Sequence, residues 1–474
     1  MKPPLLALPF AAAALLLLPK EALAHAADRG FVMILPTGYY LVGGAVSVAL
    51  SFILLAIVPV PALERPLGWR AALSSDEARG GRNRPIWPSL LSFLLLAGLV
   101  LAGLAGSRDP LSNPLPLTIW TLWWVGLTLV QGLVGNVWRW IEPWSGMHAL
   151  ICRLAGRDPE APGPLRLPPS IAFWSAIALF GGFAWFELVH ASPDDPGILA
   201  IVVAAYWLFT LVMTILFGRR HWLRRGEPFS IFFSMISRLA PLDLDGRRPA
   251  ASLPGARLAN APCLPIGGVL FLLLALSTVS FDGLMRTFFW FGLNGLNPLE
   301  FEGRSSVTAI NTIGIAAMFA ALTGAFLAAV AIGERLASSR LSFTDVAGRL
   351  VWSIIPISLA YHFSHYLVSL IVNGQYALAA LSDPLSRGWN LFGTAGLHVR
   401  AGLASGHDAS WAIWNAQAAA IIGGHIIAVA VAHLVAYRLH GDARKAAISQ
   451  LPLAVLMVAY TVFGLWLLSQ PTGA

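Results

Sequence analysis

The 474-residue chain is 57% hydrophobic and only 11% charged, and its mean hydropathy is +0.71. Soluble domains carry about 25% charged residues, so this composition excludes an ordinary soluble protein and indicates a polytopic protein of the lipid bilayer. The net charge of +8 rests on arginine. Loop arginines that orient membrane spans account for this charge, so we expect no nucleic-acid partner.

The chain begins with the features of a secretory signal peptide. A basic residue precedes an apolar core from Leu5 to Leu18, which is too short to span a bilayer, and "KEALAHA" follows it. Small residues before the cut favour cleavage after Ala24, and cleavage after Ala26 fits nearly as well. We therefore predict a bacterial signal peptide at 1–24 and a single transmembrane helical domain at 25–474.

Further along the chain, ten apolar segments have the length that a helix needs to cross the hydrocarbon, about 20 residues. They predict an all-α fold, a polytopic transmembrane helical bundle. The predicted spans lie near 37–59, 88–105, 117–136, 170–190, 197–217, 265–283, 308–333, 350–372, 412–437 and 450–469.

The basic residues predict how this bundle is oriented. With a cleaved signal the mature N-terminus is periplasmic; the loops on the other side then hold 22 arginines and Lys445, whereas the periplasmic side holds six arginines. Basic residues are retained in cytoplasmic loops, so we predict a multi-pass protein of the bacterial inner membrane with both mature termini periplasmic. Cys152 and Cys263 then face the reducing compartment, and no structural disulfide is expected.

Two of the inner loops contain apolar stretches that are too short to span the bilayer. These are "WRWIEPWSGMHALICRL" and "PFSIFFSMISRLAPL", which mix aromatic, aliphatic and basic residues. This composition is typical of interfacial segments. We predict that both stretches lie along the inner membrane surface.

The eighth predicted span carries a polar stripe. Five polar residues recur at helical spacing and fall within a sector of about 80° at 100° per residue. They are Ser358, His362, His365, Ser369 and Asn373. Lipid would leave each of these groups without a hydrogen-bond partner, so the stripe is expected to face the bundle interior or a wet cavity.

His425 lies near the middle of the ninth span, at about the depth of His362 and His365. Three imidazoles on adjacent antiparallel helices suit a divalent metal ion such as zinc or copper. The histidines could instead hydrogen-bond between helices, or serve proton or ligand passage. A haem would need His362 or His365 opposite His425 as its second axial ligand, and it ranks below a metal ion.

Acidic residues near the same side add candidates for chemistry. Glu187 and His190 end the fourth span, and Asp282 ends the sixth. We predict His190 as a further metal ligand, and Glu187 and Asp282 as catalytic carboxylates that bind the metal or act as a base on its water. The alternative is that each of these residues simply lies at the solvated end of a span and has no role in chemistry. If cleavage leaves His25 as the mature N-terminus, its amine and imidazole could together chelate copper. The alternative is that His25 is only a remnant of processing.

Between about residues 130 and 440 the chain contains, in this order, blocks that include "ELVHASPDDPGILA", "STVSFDG", "LAYHFSHYLVSLIVNGQ", "SDPLSRGWNLFGTAG" and "GGHIIAVAVAH". These blocks and their order resemble the fenitrothion hydrolase family of bacterial membrane proteins. "HAADRGFVMILPTGYY" departs from the short His-Gly opening of many members. The resemblance implies hydrolysis of an apolar organophosphorus ester at the inner membrane, with a second membrane or periplasmic subunit as a partner. It assigns no catalytic residues.

Motifs for several other chemistries do not occur in the sequence. GxxxxGK[ST], GxGxxG, HExxH and GxSxG are all missing, so ATP-driven transport by this chain, nucleotide redox chemistry and serine hydrolysis lack support. The leading hypothesis is a metal-dependent hydrolase with an intramembrane histidine site. The alternative is a copper- or haem-binding, or proton- or solute-conducting, membrane subunit without hydrolase activity. A third class is an assembly subunit whose histidines only hold helices together.

Overall fold

A computed structural model describes residues 37–73, 85–168, 172–244, 249–297, 303–400, 402 and 406–470. The predicted signal peptide and His25 lie outside the described residues. In chain order the α-helices are α1 Thr37–Ile57, α2 Val60–Gly68, α3 Trp87–Ala105, α4 Pro114–Pro116, α5 Thr128–Leu133, α6 Trp138–Ile141, α7 Ser145–Leu154, α8 Trp174–Leu188, α9 Pro196–Phe217, α10 Arg219–Arg225, α11 Pro228–Ile236, α12 Ala256–Ala259, α13 Ile266–Met285, α14 Phe288–Leu293, α15 Thr308–Leu336, α16 Phe343–Leu350, α17 Ile354–Ser382, α18 His407–His440 and α19 Ala443–Ser469. A π-helix, Leu117–Leu127, joins α4 to α5, and 3₁₀ turns at Arg304–Val307 and Val351–Ser353 precede α15 and α17.

Eight helical segments in the described part of the chain are long and apolar enough to cross a membrane. They are Thr37–Ile57, Trp87–Ala105, Pro196–Phe217, Ile266–Met285, Arg304–Leu336, Phe343–Ser382, His407–His440 and Ala443–Ser469. The two remaining predicted spans are also helical, but 117–136 begins as the π-helix and 170–190 holds only the 15 residues of α8. The chain is an all-α, multi-pass membrane protein.

The helix α13 is the central element of the bundle. In its apolar window 89% of the residues are buried, against 17% for α1, α3 and α15. It packs against α8, α15, α17 and α19, and α17 in turn packs along α18. Asp282, in the last turn of α13, contacts His365 near the middle of α17, and we call the end of the bundle toward which α13 runs the Asp282 end.

Glycines let the long helices approach closely. A Cβ on Gly424 of α18 would lie 2.8 Å from the backbone oxygen of Pro356 in α17. A Cβ on Gly333 of α15 would lie 1.8 Å from the backbone oxygen of Ser449 in α19. Small residues at helix crossings are the usual means of tight packing in membranes, where lipid is as apolar as the side chains.

The aromatic helix α11 is buried, which contradicts the prediction that "PFSIFFSMISRLAPL" lies along the membrane surface. Phe229, Phe232 and Phe233 are each at most 5% exposed. The Phe229 ring packs 4.6 Å from Trp123 of the π-helix and 5.0 Å from Phe183 of α8, centroid to centroid. Aromatic rings gain packing energy from such edge contacts, so this loop folds back between helices.

A small sheet, which the sequence did not predict, lies at the other end of the bundle. It contains β1 Arg70–Ala72, β2 Leu242–Asp243 and β3 Ala250–Ser252 in the order β1-β3-β2, all antiparallel. An ion pair between Arg70 Nη2 and Asp243 Oδ2, 2.8 Å apart, joins its two outer strands. It ties the segment after α2 to the long connection between α11 and α12.

Candidate functional site

Asp282 is the centre of a polar cluster at the end of α13. Its side chain is 1% exposed. Its Oδ2 lies 2.7 Å from His365 Nε2 and accepts a 2.8 Å hydrogen bond from Tyr366 Oη. Its Oδ1 accepts a 3.0 Å hydrogen bond from Arg286 Nε and lies 2.8 Å from Arg286 Nη2. Each oxygen of the Asp282 carboxylate therefore has a partner. Oδ1 meets Arg286, just beyond the end of α13, and Oδ2 meets His365 and Tyr366 of α17.

The spacing of these residues explains why they meet. Asp282 and Arg286 are four residues apart, and residues at this spacing lie on the same face of a helix. His365 and Tyr366 are adjacent in α17, which packs along α13. The Arg286 side chain is 48% exposed, whereas that of His365 is 13% exposed. The cluster is therefore buried on one side and open toward the Asp282 end.

Glu187 completes this group from the last turn of α8. Its Oε1 lies 3.3 Å from Tyr366 Oη, and its backbone oxygen accepts a 2.6 Å hydrogen bond from Arg304 Nη2. The Tyr366 hydroxyl has one proton, so it donates to one carboxyl at a time. While it donates to Asp282, a hydrogen bond to Glu187 requires a proton on the Glu187 carboxyl. We call Glu187, Asp282, Arg286, His365 and Tyr366 together the Asp282 cluster.

His362 and His425 have partners outside the cluster. His362 is buried, its Nε2 donates to the backbone oxygen of Trp124 at 3.1 Å, and its ring packs edge-on against Trp124. Trp124 belongs to the π-helix, and its carbonyl also accepts a hydrogen bond from Thr128 Oγ1. His425 Nδ1 donates to the backbone oxygen of Ile421 at 2.8 Å, within its own helix. His362, His365 and His425 therefore bond to three different neighbours.

The remaining predicted ligand, His190, lies beyond the end of α8. Its Nδ1 accepts a 3.1 Å hydrogen bond from the Ser192 backbone, and its ring packs 4.9 Å from Phe186. Within the described residues, no group of three or more histidine, cysteine, aspartate or glutamate side chains could hold a metal ion. The assignment of His190, His362, His365 and His425 as metal ligands stays a prediction.

A second polar group lies deeper between α13, α17, α18 and α19. It consists of Ser280, Tyr361, His425 and Tyr460. Ser280 Oγ and Tyr460 Oη are 2.5 Å apart, and the Tyr460 ring lies 6.1 Å from Tyr361 and 6.0 Å from His425, centroid to centroid. Tyr361 Oη and His425 Nε2 are buried without a hydrogen-bond partner in the described part of the chain. Such buried polar atoms cost free energy unless a further group meets them.

A cavity of about 220 Å³ lies at the opposite end of the bundle. Glu142 and Ser145, at the start of α7, form part of its wall together with Arg219. Glu142 Oε2 accepts hydrogen bonds of 3.0 Å from the backbone nitrogens of Trp144 and Ser145. Burial nevertheless raises the pKa of Glu142 to about 7. Arg219 already pairs with Glu160, so the charges of this cavity are largely balanced by one another.

Sequence reasoning proposed Glu187, Asp282 and His365 but missed two members of the Asp282 cluster. Arg286 could have been found, because it follows Asp282 at the i,i+4 spacing of a helical ion pair. Tyr366 was passed over because its hydrophobic ring suits an apolar span equally well. A scan against protein-family models and searches of curated proteins and of solved structures found no match to this chain.

Proposed function

We propose that this protein transfers protons across its membrane and that the Asp282 cluster is the site where protons enter. The proposal rests on one observation: a carboxylate buried in a spanning bundle is shared by an imidazole, a phenol and a guanidinium. Ionisable groups are costly in membrane interiors and, where they occur, often form proton relays. The Arg286 charge offsets the cost of keeping Asp282 ionised.

His365 has the geometry of a relay between two nitrogens. In the neutral imidazole, a proton on Nε2 makes the 2.7 Å hydrogen bond to Asp282, and Nδ1 is then an acceptor. When a proton reaches the Asp282 carboxyl, the ring can accept it on Nε2 from the tautomer that carries its proton on Nδ1, and Nδ1 then releases that proton, which leaves the ring with its proton on Nε2. Glu187, reached through the Tyr366 hydroxyl, supplies a second carboxyl at the open side.

The distribution of arginines supports a direction for proton transfer. The loops that follow α1 and α9 are rich in arginine, whereas the connections at the Asp282 end are poor in it. In this orientation the Asp282 end faces the periplasm of a bacterial inner membrane, both mature termini lie on that side, and the cluster takes up protons from outside.

Proton flux into proteoliposomes tests the proposal. The full chain is reconstituted with a pH-sensitive dye inside the vesicles, and a potassium diffusion potential, negative inside, drives proton entry. Asp282→Asn keeps the side-chain shape but removes the carboxylate, and we expect at least a tenfold lower flux. The matched control is Asp408→Asn, at the same end of the bundle on a fully exposed side chain, which should conduct as the wild type does. Wild-type flux in Asp282→Asn would refute the proposal.

Hydrolysis of an apolar ester is the second candidate, favoured by the same His365–Asp282 contact. An imidazole held by a carboxylate is a suitable general base, and an apolar organophosphorus ester would reach the site through the bilayer. If zinc or copper is bound, it would lower the pKa of a water molecule, with His365 among its predicted ligands. A nitrophenyl phosphotriester assay and metal analysis, each repeated on His365→Ala, discriminate between the two functions. Release of nitrophenolate that is lost in the variant would favour the hydrolase.

A further inference from the structure

The cavity at the end of the bundle opposite Asp282 lies at the level of a membrane boundary. Its wall includes Ile86, the residue before α3, and Arg219, the first residue of α10 and two positions beyond the end of α9. One apolar helix therefore begins and another ends beside it, where headgroups replace hydrocarbon. Trp140 also lines it, and tryptophan is enriched at membrane interfaces. The volume of about 220 Å³ equals that of about seven water molecules at ~30 Å³ each, which is enough for a phospholipid headgroup.

The helix α7 connects this cavity to the surface that faces lipid. Ala149 and Arg153, one helical turn apart, line the cavity. Leu150 and Leu154 each follow one of them, so they lie on the neighbouring face of the helix, about 100° around its axis. These leucines are 40% and 81% exposed. An interfacial helix buries such an apolar face at the boundary of headgroups and acyl chains. A lipid whose chains cover the two leucines therefore has its headgroup beside the cavity.

Charges of both signs line the cavity, and some of them have partners in the protein. Arg219 pairs with Glu160. Arg139 Nη1 donates a 2.6 Å hydrogen bond to the backbone oxygen of Leu244, and Glu142 accepts hydrogen bonds from the backbone at the start of α7. These four side chains therefore already serve the fold.

Arg153 and Asp158 are the remaining charged residues of the cavity wall. Neither forms an ion pair with any residue in the part of the chain that the structure describes. One cation and one anion on the same wall thus lack a counter-charge. A ligand that carries one negative and one positive charge would supply a counter-charge to both.

We propose that this cavity binds the headgroup of a zwitterionic phospholipid, phosphatidylethanolamine, from the adjacent leaflet. The Arg153 guanidinium donates to the phosphodiester, whose oxygens match its planar fork of N–H groups. The Asp158 carboxylate accepts hydrogen bonds from the primary ammonium group. Phosphatidylglycerol offers no cation to Asp158, and the quaternary ammonium of phosphatidylcholine offers no N–H, so both should bind less tightly. This site is independent of the proposed proton transfer.

Lipid binding to the full chain in detergent tests the proposal. The purified, delipidated protein is titrated with phosphatidylethanolamine, phosphatidylglycerol or phosphatidylcholine that have identical acyl chains, and native mass spectrometry measures the Kd of the first lipid bound. We expect a Kd about fivefold lower for phosphatidylethanolamine than for the other two, because partly exposed charge pairs contribute modestly. Equal Kd values for the three lipids, or a preference for phosphatidylglycerol, would overturn the proposal.

Two variants locate the site. Arg153→Gln and Asp158→Asn change exposed side chains, so both proteins should fold. Arg153→Gln should weaken the binding of phosphatidylethanolamine about fivefold, whereas Asp158→Asn should bind phosphatidylglycerol as tightly as phosphatidylethanolamine. The matched control is Arg157→Gln, an exposed residue between the two that does not line the cavity, and it should bind lipids as the wild type does. Wild-type affinity and selectivity in both test variants would show that the cavity is not the site.

A competition distinguishes a lipid from a soluble compound with the same headgroup. Glycerophosphoethanolamine has the headgroup but no acyl chains, so at a concentration equal to that of the lipid it should leave phosphatidylethanolamine bound. Displacement at equal concentration would replace the lipid by a soluble ligand. Leu154→Ser should weaken the binding of all three lipids alike, since it changes only the contact with acyl chains. Asp282→Asn, at the other end of the bundle, should bind lipids as the wild type does, so this inference and the proposed function can fail separately.

Discussion

His365 Nε2 and Asp282 Oδ2 lie 2.7 Å apart, although their residues are 83 positions apart in the chain. The contact connects α13, the most buried of the spanning helices, to the polar stripe of α17. It also fixes the tautomer of the imidazole, because the neutral ring must carry its proton on Nε2 to donate to the carboxylate. One contact thus joins two helices and orients the ring.

Removal of the Asp282 carboxylate should destabilise the protein. Asp282→Ala leaves Arg286 and His365 without their shared partner, and breaking a buried ion pair costs about 3–5 kcal/mol. The Arg286 side chain is 48% exposed, and solvent screening lowers this cost, so we expect a loss of about 2 kcal/mol. Denaturation of the detergent-solubilised protein, followed by circular dichroism, measures it.

The matched control for this prediction is a double-mutant cycle. Arg286→Met removes the other partner, and the Asp282→Ala/Arg286→Met protein should be less destabilised than the sum of the single variants by about 1 kcal/mol. Additive losses would contradict a direct interaction between the two side chains.

The helical class and the approximate spans could be predicted from the sequence, because lipid requires long apolar helices. The identity of the buried helices could not. The window of α9 has a mean hydropathy of 2.4 and is 28% buried, whereas that of α13 has 1.9 and is 89% buried. Lipid tails are as apolar as leucine, so hydropathy does not distinguish a helix facing lipid from one facing protein.

The candidate site could be predicted in part for the same reason. The spacing of His362 and His365 correctly marks a polar face of α17, since both side chains bond to other helices. Helical periodicity gives the direction of a side chain about its own axis but not the neighbour that it meets. The approach of Asp282 and Glu187 to His365 and Tyr366 depends on how α8, α13 and α17 pack, and only the structure provides that information.

His362 is expected to contribute to stability through its hydrogen bond to the π-helix. His362→Phe keeps a flat ring but loses the N–H that bonds to Trp124. Interhelical hydrogen bonds in membranes are worth about 0.6 kcal/mol on average and up to about 1.7 kcal/mol, so we expect a loss of roughly 1 kcal/mol in denaturation. His398→Phe, in an exposed loop, is the control and should change stability little. Equal stability of both variants would show that this hydrogen bond contributes nothing.

The glycine at the crossing of α15 and α19 is expected to be intolerant of substitution. A Cβ on Gly333 would lie 1.8 Å from the backbone oxygen of Ser449, so Gly333→Ala must push two helices apart. Overpacking of this kind costs about 1–3 kcal/mol, and the midpoint of thermal unfolding should fall accordingly. Gly324→Ala, in the same helix and with nothing near its Cβ, should not lower it. An unchanged midpoint in Gly333→Ala would refute the close crossing.

Glu142 lies at the end of the bundle opposite Asp282. We expect it to make the free energy of unfolding depend on pH. Burial raises its pKa to about 7 in the folded protein, whereas an unfolded glutamate titrates near pH 4.3. The folded state therefore retains this proton to higher pH than the unfolded state does. The contribution of Glu142 to the free energy of unfolding is fully present below about pH 4. It should decline as pH rises to about 7 and then level off, by about 4 kcal/mol in all.

The measurement is the difference in unfolding free energy between the wild type and Glu142→Gln across this pH range, because the subtraction cancels other titrating groups. Glutamine is neutral throughout, so the variant should lack the decline and gain stability relative to the wild type as pH rises from 4 to 7. Glu64→Gln, on a side chain that is 43% exposed, is the control and should follow the wild-type curve. A constant difference between wild type and Glu142→Gln over that range would contradict a buried carboxyl that is protonated near neutrality.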